Sequence, residues 1–259
     1  MAVIGLTDIL KKYKFLIALS LPKTKLVGRD KEIQMLYESL HKKRMKNAII
    51  IGEAGVGKTA IVDEFYRKVK DEYFVIELNI AASLSQTKYR GEFEEKVVEC
   101  MNLIHRHNKE NDKKIILFID EIHTIFHAGA SEGGLNFGNI IKPYLSRGDI
   151  TIIGATTKDE YKMTIRNDLA LSRRLSPIFI KELPKEHVIS ILNNFCSKKV
   201  PMSLLEYIYD KSLGINWSNN PDISIEILDR CMARKECTEQ KITEEMIDDI
   251  YNDMEEQYD

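Results

Sequence analysis

The sequence predicts an α/β fold: a five-stranded parallel sheet of the phosphate-loop nucleoside triphosphatase kind with flanking helices, followed by a small all-helical lid domain. Three observations carry this expectation. Short apolar runs alternate with helix-length amphipathic segments as far as Ile180, which is the pattern of βαβ units. One run, Asn47–Ile51, leads straight into Gly52-Glu53-Ala54-Gly55-Val56-Gly57-Lys58-Thr59, a fit to the G-x-x-x-x-G-K-S/T phosphate loop. After Pro184 the pattern changes to helices only.

The chain has 259 residues, enough for one large domain or a large and a small one. A formal charge of -2 with 30% charged residues gives no global attraction to nucleic acid or membrane. Lysines crowd the start (Lys11, Lys12, Lys14, Lys23, Lys25) and acids the end (Asp248, Asp249, Asp253, Glu255, Glu256, Asp259); solvated helix faces are the simpler reading and a specific partner site the other. Cys100, Cys196, Cys231 and Cys237 show no CxxC spacing, so reduced thiols in a cytoplasmic protein are expected. No apolar run reaches the length of a membrane span. Lysines and apolar residues intermix at the N-terminus without a small-residue cleavage site, so no signal peptide is predicted.

In chain order, residues 1–24 are predicted as an amphipathic helix and linker. Leu6, Ile9, Leu10, Tyr13, Phe15, Leu16 and Leu19 recur between lysines, and Leu21-Pro22 ends the helix. The α/β domain is predicted over 25–182. It opens with Val27-Gly28-Arg29-Asp30 and a helix from Glu32 to Leu40, followed by the basic patch His41–Arg44. Strands are expected at 47–51, 73–78, 115–119, 149–155 and 178–180, with a helix over 91–107 and a polar loop over 108–114. The lid is predicted over 183–259, with helices at 186–196, 202–211, 221–235 and 243–256; Pro221 suits a first helical position.

The chemistry follows from residue type and position. Glycines at 52, 55 and 57 let backbone N–H groups at Glu53, Ala54, Gly55, Val56, Gly57, Lys58, Thr59 and Ala60 face phosphate oxygens. The helix that begins there aims its positive end at the anion. Lys58 reaches the β- and γ-phosphates, and the Thr59 hydroxyl suits Mg²⁺. Asp120, closing an apolar strand, is placed to hold Mg²⁺ through water, and Glu121 to orient and deprotonate the attacking water. ATP and Mg²⁺ are therefore the expected cofactors. Asp120-Glu121-Ile122-His123 also reads as a D-E-x-H helicase box, but a helicase needs a second α/β motor that the helical remainder does not supply. A GTPase needs N-K-x-D, and Asn108-Lys109-Glu110-Asn111 ends in an amide.

Val27-Gly28-Arg29-Asp30, the loop Gly52–Thr59, Lys88-Tyr89-Arg90-Gly91-Glu92-Phe93-Glu94, Phe118-Ile119-Asp120-Glu121-Ile122-His123-Thr124, Ile153-Gly154-Ala155-Thr156-Thr157 and Leu171-Ser172-Arg173-Arg174-Leu175 together resemble the Clp-type AAA+ unfoldases. Their order and spacing look like the first of that family's two ATPase rings. The resemblance runs from about residue 25 to residue 235 and implies a homo-oligomeric, hexameric ring ATPase that pulls on a protein substrate. It implies that Thr157 senses the γ-phosphate and that Arg173 and Arg174 reach a neighbouring subunit's nucleotide. Val27 and Gly28 would meet the adenine edge, with Ile191 and Pro221 closing over the ring. Lys88, Tyr89 and Arg90 would form the substrate-gripping pore loop. The chain departs from the family at Pro221-Asp222-Ile223, where Pro-Asp-Lys is usual. Thr157 as a helix cap and Arg173-Arg174 as a solvated helix end are the simpler alternatives. The alternative functions are a nucleic-acid-linked AAA+ ATPase, such as a helicase loader or transposition regulator, and an ATP-dependent regulatory switch.

Overall fold

A computed structural model describes residues 5–22, 24–43, 46–79, 90–127 and 137–258. The chain divides into two compact units, Met1–Gly52 with Lys58–Ile180, and Glu53–Gly57 with Lys181–Asp259.

The first unit is built on a six-stranded sheet: β1 (Leu16–Ala18), β2 (Asn47–Ile51), β3 (Tyr73–Leu78), β4 (Lys114–Ile119), β5 (Thr151–Thr156) and β6 (Leu175–Phe179), in the spatial order β1-β3-β4-β5-β2-β6. Five strands run parallel, and β1 pairs antiparallel with β3, Leu16 opposite Leu78. Strands β2, β4 and β5 read as unbroken apolar runs because both faces of the sheet are covered. One face packs Ile49, Ile51, Leu117 and Ile119 beneath Val97, Met101 and Ile104 of α4 (Arg90–Glu110) and Ile141 of α6 (Phe137–Arg147). Buried residues of α2 (Asp30–Leu40) and α3 (Lys58–Val69), among them Ile33, Leu36, Ile61 and Phe65, belong to the other.

Two strands differ from the sequence expectation. The helix predicted across 5–19 stops as α1 (Leu6–Lys12), and the chain enters the sheet as β1. Tyr13 and Phe15 are buried around an exposed Lys14, a period of two that departs from the helical 3.6. The free edge of β3 then accepts the segment: Asn79 N donates to Phe15 O (2.9 Å) and Leu19 N to Val75 O (3.2 Å). The sheet is therefore mixed and six-stranded. The last strand begins at Leu175, before Pro177, where the sequence suggested a start after it. Because β6 is an edge strand bonded only to β2, a residue without an N–H is tolerated there.

Between β4 and β6 lie α5 (His123–His127), α6, α7 (Lys158–Glu160), a π-turn (Tyr161–Ile165) and α8 (Leu169–Ser172), none of which carried a strong sequence signal. In the second unit, helices α9 (Lys185–Phe195), α10 (Met202–Ser212), α11 (Asp222–Thr238) and α12 (Glu244–Tyr258) enclose a core that includes Val188, Leu192, Ile208, Ile227, Cys231, Ile247 and Met254. A buried polar cluster braces its bend: Asn220 Nδ2 donates to Ser212 Oγ (2.9 Å) and Ser224 Oγ to Asn220 Oδ1 (2.5 Å). Pro221 is the N-cap of α11 and not its first helical residue. No described helix is long and apolar enough to cross a membrane.

Candidate nucleotide site

The parallel register brings three chemical segments to one end of the sheet. Ile51 at the end of β2 lies opposite Thr156 of β5, and Gly154 of β5 lies opposite Ile119 of β4. Residues that follow these strands, Gly52, Asp120 and Thr157, therefore share the carboxyl edge, where open parallel sheets bind ligands. Gly52 N donates to Thr156 O (3.1 Å), which fixes the start of the phosphate loop against β5.

Within the loop, Gly55 and Gly57 adopt φ of 81° and 92°, the left-handed region open to glycine. Residues 53–57 are grouped with the helical unit: Asn219 Nδ2 donates to Ala54 O (2.9 Å) and Asp222 N to Gly55 O (3.3 Å). A Cβ on Gly55 would stand 2.8 Å from Asn219 O. Lys58, the first residue of α3, is buried and its Nζ donates to Gly52 O (3.0 Å). Ala60 lies in the same first turn. Thr59 Oγ1 donates to Asp120 Oδ2 (3.1 Å). A hydroxyl beside a carboxylate is a hard oxygen set of the kind Mg²⁺ takes. Negative charge is concentrated around it. Burial raises the carboxyls of Glu77 and Asp63 above their ordinary range, and Asp120 pushes Glu77 further up.

Glu121 follows Asp120 in a strained backbone position, φ 47°, uncommon for a non-glycine residue and typical of functional turns. Three bonds hold the turn: Glu121 N to Asp120 Oδ1 (2.9 Å), Ile122 N to Ala155 O (2.9 Å) and Thr124 Oγ1 to Glu121 O (2.8 Å). Burial raises the Glu121 carboxyl above the usual carboxylate range. The charges of Asp120 and Glu160 act in the same sense, and Lys58 opposes them. A carboxylate tuned upward is better matched to proton abstraction near neutral pH.

Sequence reasoning missed the side chains behind Glu121. His123 Nε2 lies 2.9 Å from Glu160 Oε1, and its Nδ1 lies 3.0 Å from Thr156 Oγ1 and 3.3 Å from Glu121 Oε2. Glu160 in turn takes the Thr157 hydroxyl (2.7 Å) and backbone N–H (3.2 Å). Thr157 is the N-cap of α7 with Glu160 closing a capping box. The T-x-x-E spacing from 157 to 160 was the available signal, and the D-E-x-H string held His123.

Arg173 and Arg174 follow α8, whose N-cap Asp168 accepts from Ala170 N (2.8 Å) and Leu171 N (3.2 Å) and pairs with Lys142 (2.7 Å). Arg174 O accepts from Asn47 Nδ2 (3.2 Å), which places the pair beside the start of β2. The phosphate loop begins after the end of that strand. From Asn47 to Gly52, the first loop residue, there are five steps of rise, roughly 16 Å at about 3.3 Å each. The arginines border a cleft of ≈ 810 Å³ also lined by Lys43, Lys46 and Arg147, with no carboxylate among its described lining residues. Val27 and Gly28 lie in the half-buried turn before α2, Gly28 with φ 74°. Ile191 is half-buried on α9. Lys88 and Tyr89 lie outside the described residues, and Arg90 is the first residue of α4.

The model of the ATPase family associated with various cellular activities (AAA) matches residues 48–183. The chain belongs to this AAA family. Among curated relatives of this AAA chain, the chaperone protein ClpB of Dichelobacter nodosus is 44% identical over 176 residues, 65% of the chain and 20% of the relative. ClpB of Aquifex aeolicus is 37% identical over 225 residues, 81% of the chain and 22% of the relative. A Trieres chinensis protein described as an ATP-dependent Clp protease ATP-binding subunit ClpA homolog is 38% identical over 225 residues, 80% and 25%. The AAA chain thus spans about a fifth to a quarter of these relatives. Two Hsp104 structures are similar in fold. The closed state with ATPγS and FITC casein gives a TM-score of 0.78 at 26% identity, covering 95% of this chain and 45% of that one. The Saccharomyces cerevisiae Hsp104-ADP complex gives 0.73 at 28%, covering 85% and 33%.

Proposed function

We propose that the chain is a Mg²⁺-dependent ATP-hydrolysing ring motor of the Clp kind, acting on protein substrates. Lys58 and the loop from Glu53 to Ala60 hold the phosphates, Thr59 and Asp120 hold the ion, Glu121 activates water, and Thr157 reads the γ-phosphate. Val27 and Gly28 meet the edge of the adenine. Three cysteines are buried, Cys100, Cys196 and Cys231, and the thiols of Cys100 and Cys231 are pushed up by burial, which fits reduced thiols in a cytoplasmic protein.

One observation carries the ring. Arg174 is bonded through its carbonyl to Asn47 at the start of β2, and the phosphate loop follows the end of that strand, which favours a role away from the subunit's own nucleotide. Cations of that kind serve the transition state of another subunit's nucleotide, where such a finger contributes roughly 10³–10⁵ in rate. A homo-oligomer, with six copies as in the resembled family, completes each site. Tyr89 between Lys88 and Arg90 is the residue proposed to press on the threaded polypeptide through its apolar face.

The test couples turnover to work. Glu121→Gln should bind ATP and lose hydrolysis, whereas Tyr89→Ala should hydrolyse ATP and fail to unfold a tagged protein. A Tyr89→Ala protein that unfolds substrate normally refutes the threading role. Salt-sensitive loss of single-stranded DNA binding in that variant would instead identify the loader.

A further inference from the structure

We propose that His123 is a positioning residue that ties the carboxylate of Glu121 to the Thr157 hydroxyl through Glu160, so that the base and the γ-phosphate sensor respond together. The inference rests on the roles proposed above for Glu121 and Thr157. Its basis is an unbroken series of polar contacts: Thr157 Oγ1 to Glu160 Oε2 at 2.7 Å, Glu160 Oε1 to His123 Nε2 at 2.9 Å, and His123 Nδ1 to Glu121 Oε2 at 3.3 Å. The imidazole is mostly buried (side chain 11% exposed), whereas Glu121 at the far end is about half exposed (49%), so the ring holds the carboxylate from the better-fixed side. Thr156, fully buried on β5, lies beside the same Nδ1 at 3.0 Å and beside Glu160 Oε2 at 3.3 Å.

Donor accounting shows why the series responds to nucleotide. A threonine hydroxyl has one proton to give. In this structure that of Thr157 goes to Glu160 as part of the capping box. To bond a γ-phosphate, Thr157 must withdraw it, and Glu160 Oε2 loses its shortest contact. The Thr156 hydroxyl already donates to the same Oε2 at 3.3 Å, so its oxygen faces His123 Nδ1 as an acceptor. As it closes on Oε2 to make up the loss it draws away from Nδ1, and the Nδ1–H is left to Glu121, whose carboxylate can only accept. The ring nitrogen facing Glu121 therefore has a different partner set when the γ-phosphate is present. After phosphate release, Thr157 returns to Glu160 and the first arrangement is restored. Glu121 is placed for attack only while there is a γ-phosphate to attack.

Two measurements on the full chain test this. First, kcat and ATP affinity are determined for His123→Ala, Glu160→Gln and the double variant. Each single variant should lose roughly 10- to 100-fold in kcat, the range expected for a base misplaced by an ångström, with nucleotide affinity unchanged. Because both cut the same series, the double variant should be no slower than the slower single. Losses that multiply would overturn the coupling. Second, the ring ¹⁵N signals of His123, assigned by their absence in His123→Gln, should differ between the ADP state and the state with a non-hydrolysable ATP analogue. Glu160→Gln should abolish that difference. A ring whose signals are the same with both nucleotides is merely structural, and the proposal fails even if His123→Ala does not fold. Glu121→Gln separates the two levels. If it keeps turnover, the base assignment is wrong; if it loses turnover while the kcat losses multiply, only the relay is wrong.

Discussion

Gly154→Ala offers a sharp test of how the catalytic turn is held. Gly154 lies in the middle of β5, opposite Ile119 and Ile49, with no left-handed backbone requirement, so its role is one of space. A Cβ there would stand 2.7 Å from Ile122 Cδ1, 3.0 Å from its Cγ2 and 3.3 Å from its Cβ. Contacts of about 3.5 Å or more are the relaxed distance, so Ile122 must retreat by roughly half an ångström to an ångström. Overpacking of this kind costs about 1–3 kcal/mol. At about 2–4 °C per kcal/mol for a protein of this size, Tm should fall by several degrees. Ile122 cannot move alone. Its N–H is bonded to Ala155 O, and it directly follows Glu121 at its strained φ. The carboxylate of Glu121 is therefore displaced with it, and kcat should drop by up to roughly 100-fold. ATP affinity should hold, because Lys58 and the phosphate loop hang from β2. Ile122→Val removes the atom at 2.7 Å, so adding it to Gly154→Ala should restore much of both losses. Calorimetry with steady-state ATPase assays reads both quantities. A variant with lowered Tm and unchanged kcat would refute the link from Gly154 through Ile122 to the base.

Other outcomes follow from the same geometry. Glu121→Gln should raise Tm at neutral pH, since the folded carboxyl is raised by burial and by Asp120. The penalty on its ionised form is absent below the unfolded pKa and complete above the folded one, so the gain should vanish as the pH falls below the ordinary carboxylate range; a gain that persists in acid would point to another cause. The acid limb of kcat/KM should lie above that ordinary range. Glu160→Gln should shift it downward by removing a like charge, and an unmoved limb would assign it to a different group. Arg173→Ala or Arg174→Ala should leave ATP affinity intact and reduce turnover, and wild-type activity per subunit should fall on dilution. Concentration-independent turnover in the monomer range would count against the shared site. Asp168→Ala removes the cap of α8 and the Lys142 pair, which should cost about 0.5–2 kcal/mol and lower turnover as Arg173 loses its support.

Local patterns told much of this story before any coordinates. Strands β2 and β4 were legible because burial on both faces demands unbroken apolar runs. The phosphate loop was legible because its turn needs glycines at fixed spacing, and Asp120-Glu121 because an acidic pair closing a buried strand has few structural uses. Thr157 was legible as a helix cap, whereas Glu160, three residues on, was not singled out although the T-x-x-E spacing was there. Periodicity could not show that Leu16–Ala18 leaves a helix for the edge of β3, because a segment so short takes its conformation from the partner that accepts it. Nor could it show that Pro177 lies within a strand, since only an edge position spares the missing N–H. The contact of His123 with Thr156 spans 33 residues and that of Asn47 with Arg174 spans 127. Such pairs meet only because parallel register aligns β4, β5, β2 and β6. The sequence alone determined the fold class and the family motifs, because glycine spacing and apolar runs are local properties. The sheet order decided which groups stand behind Glu121 and that the two arginines lie by the start of β2 while the phosphate loop follows its end, because distance across a sheet depends on strand pairing and not on separation along the chain.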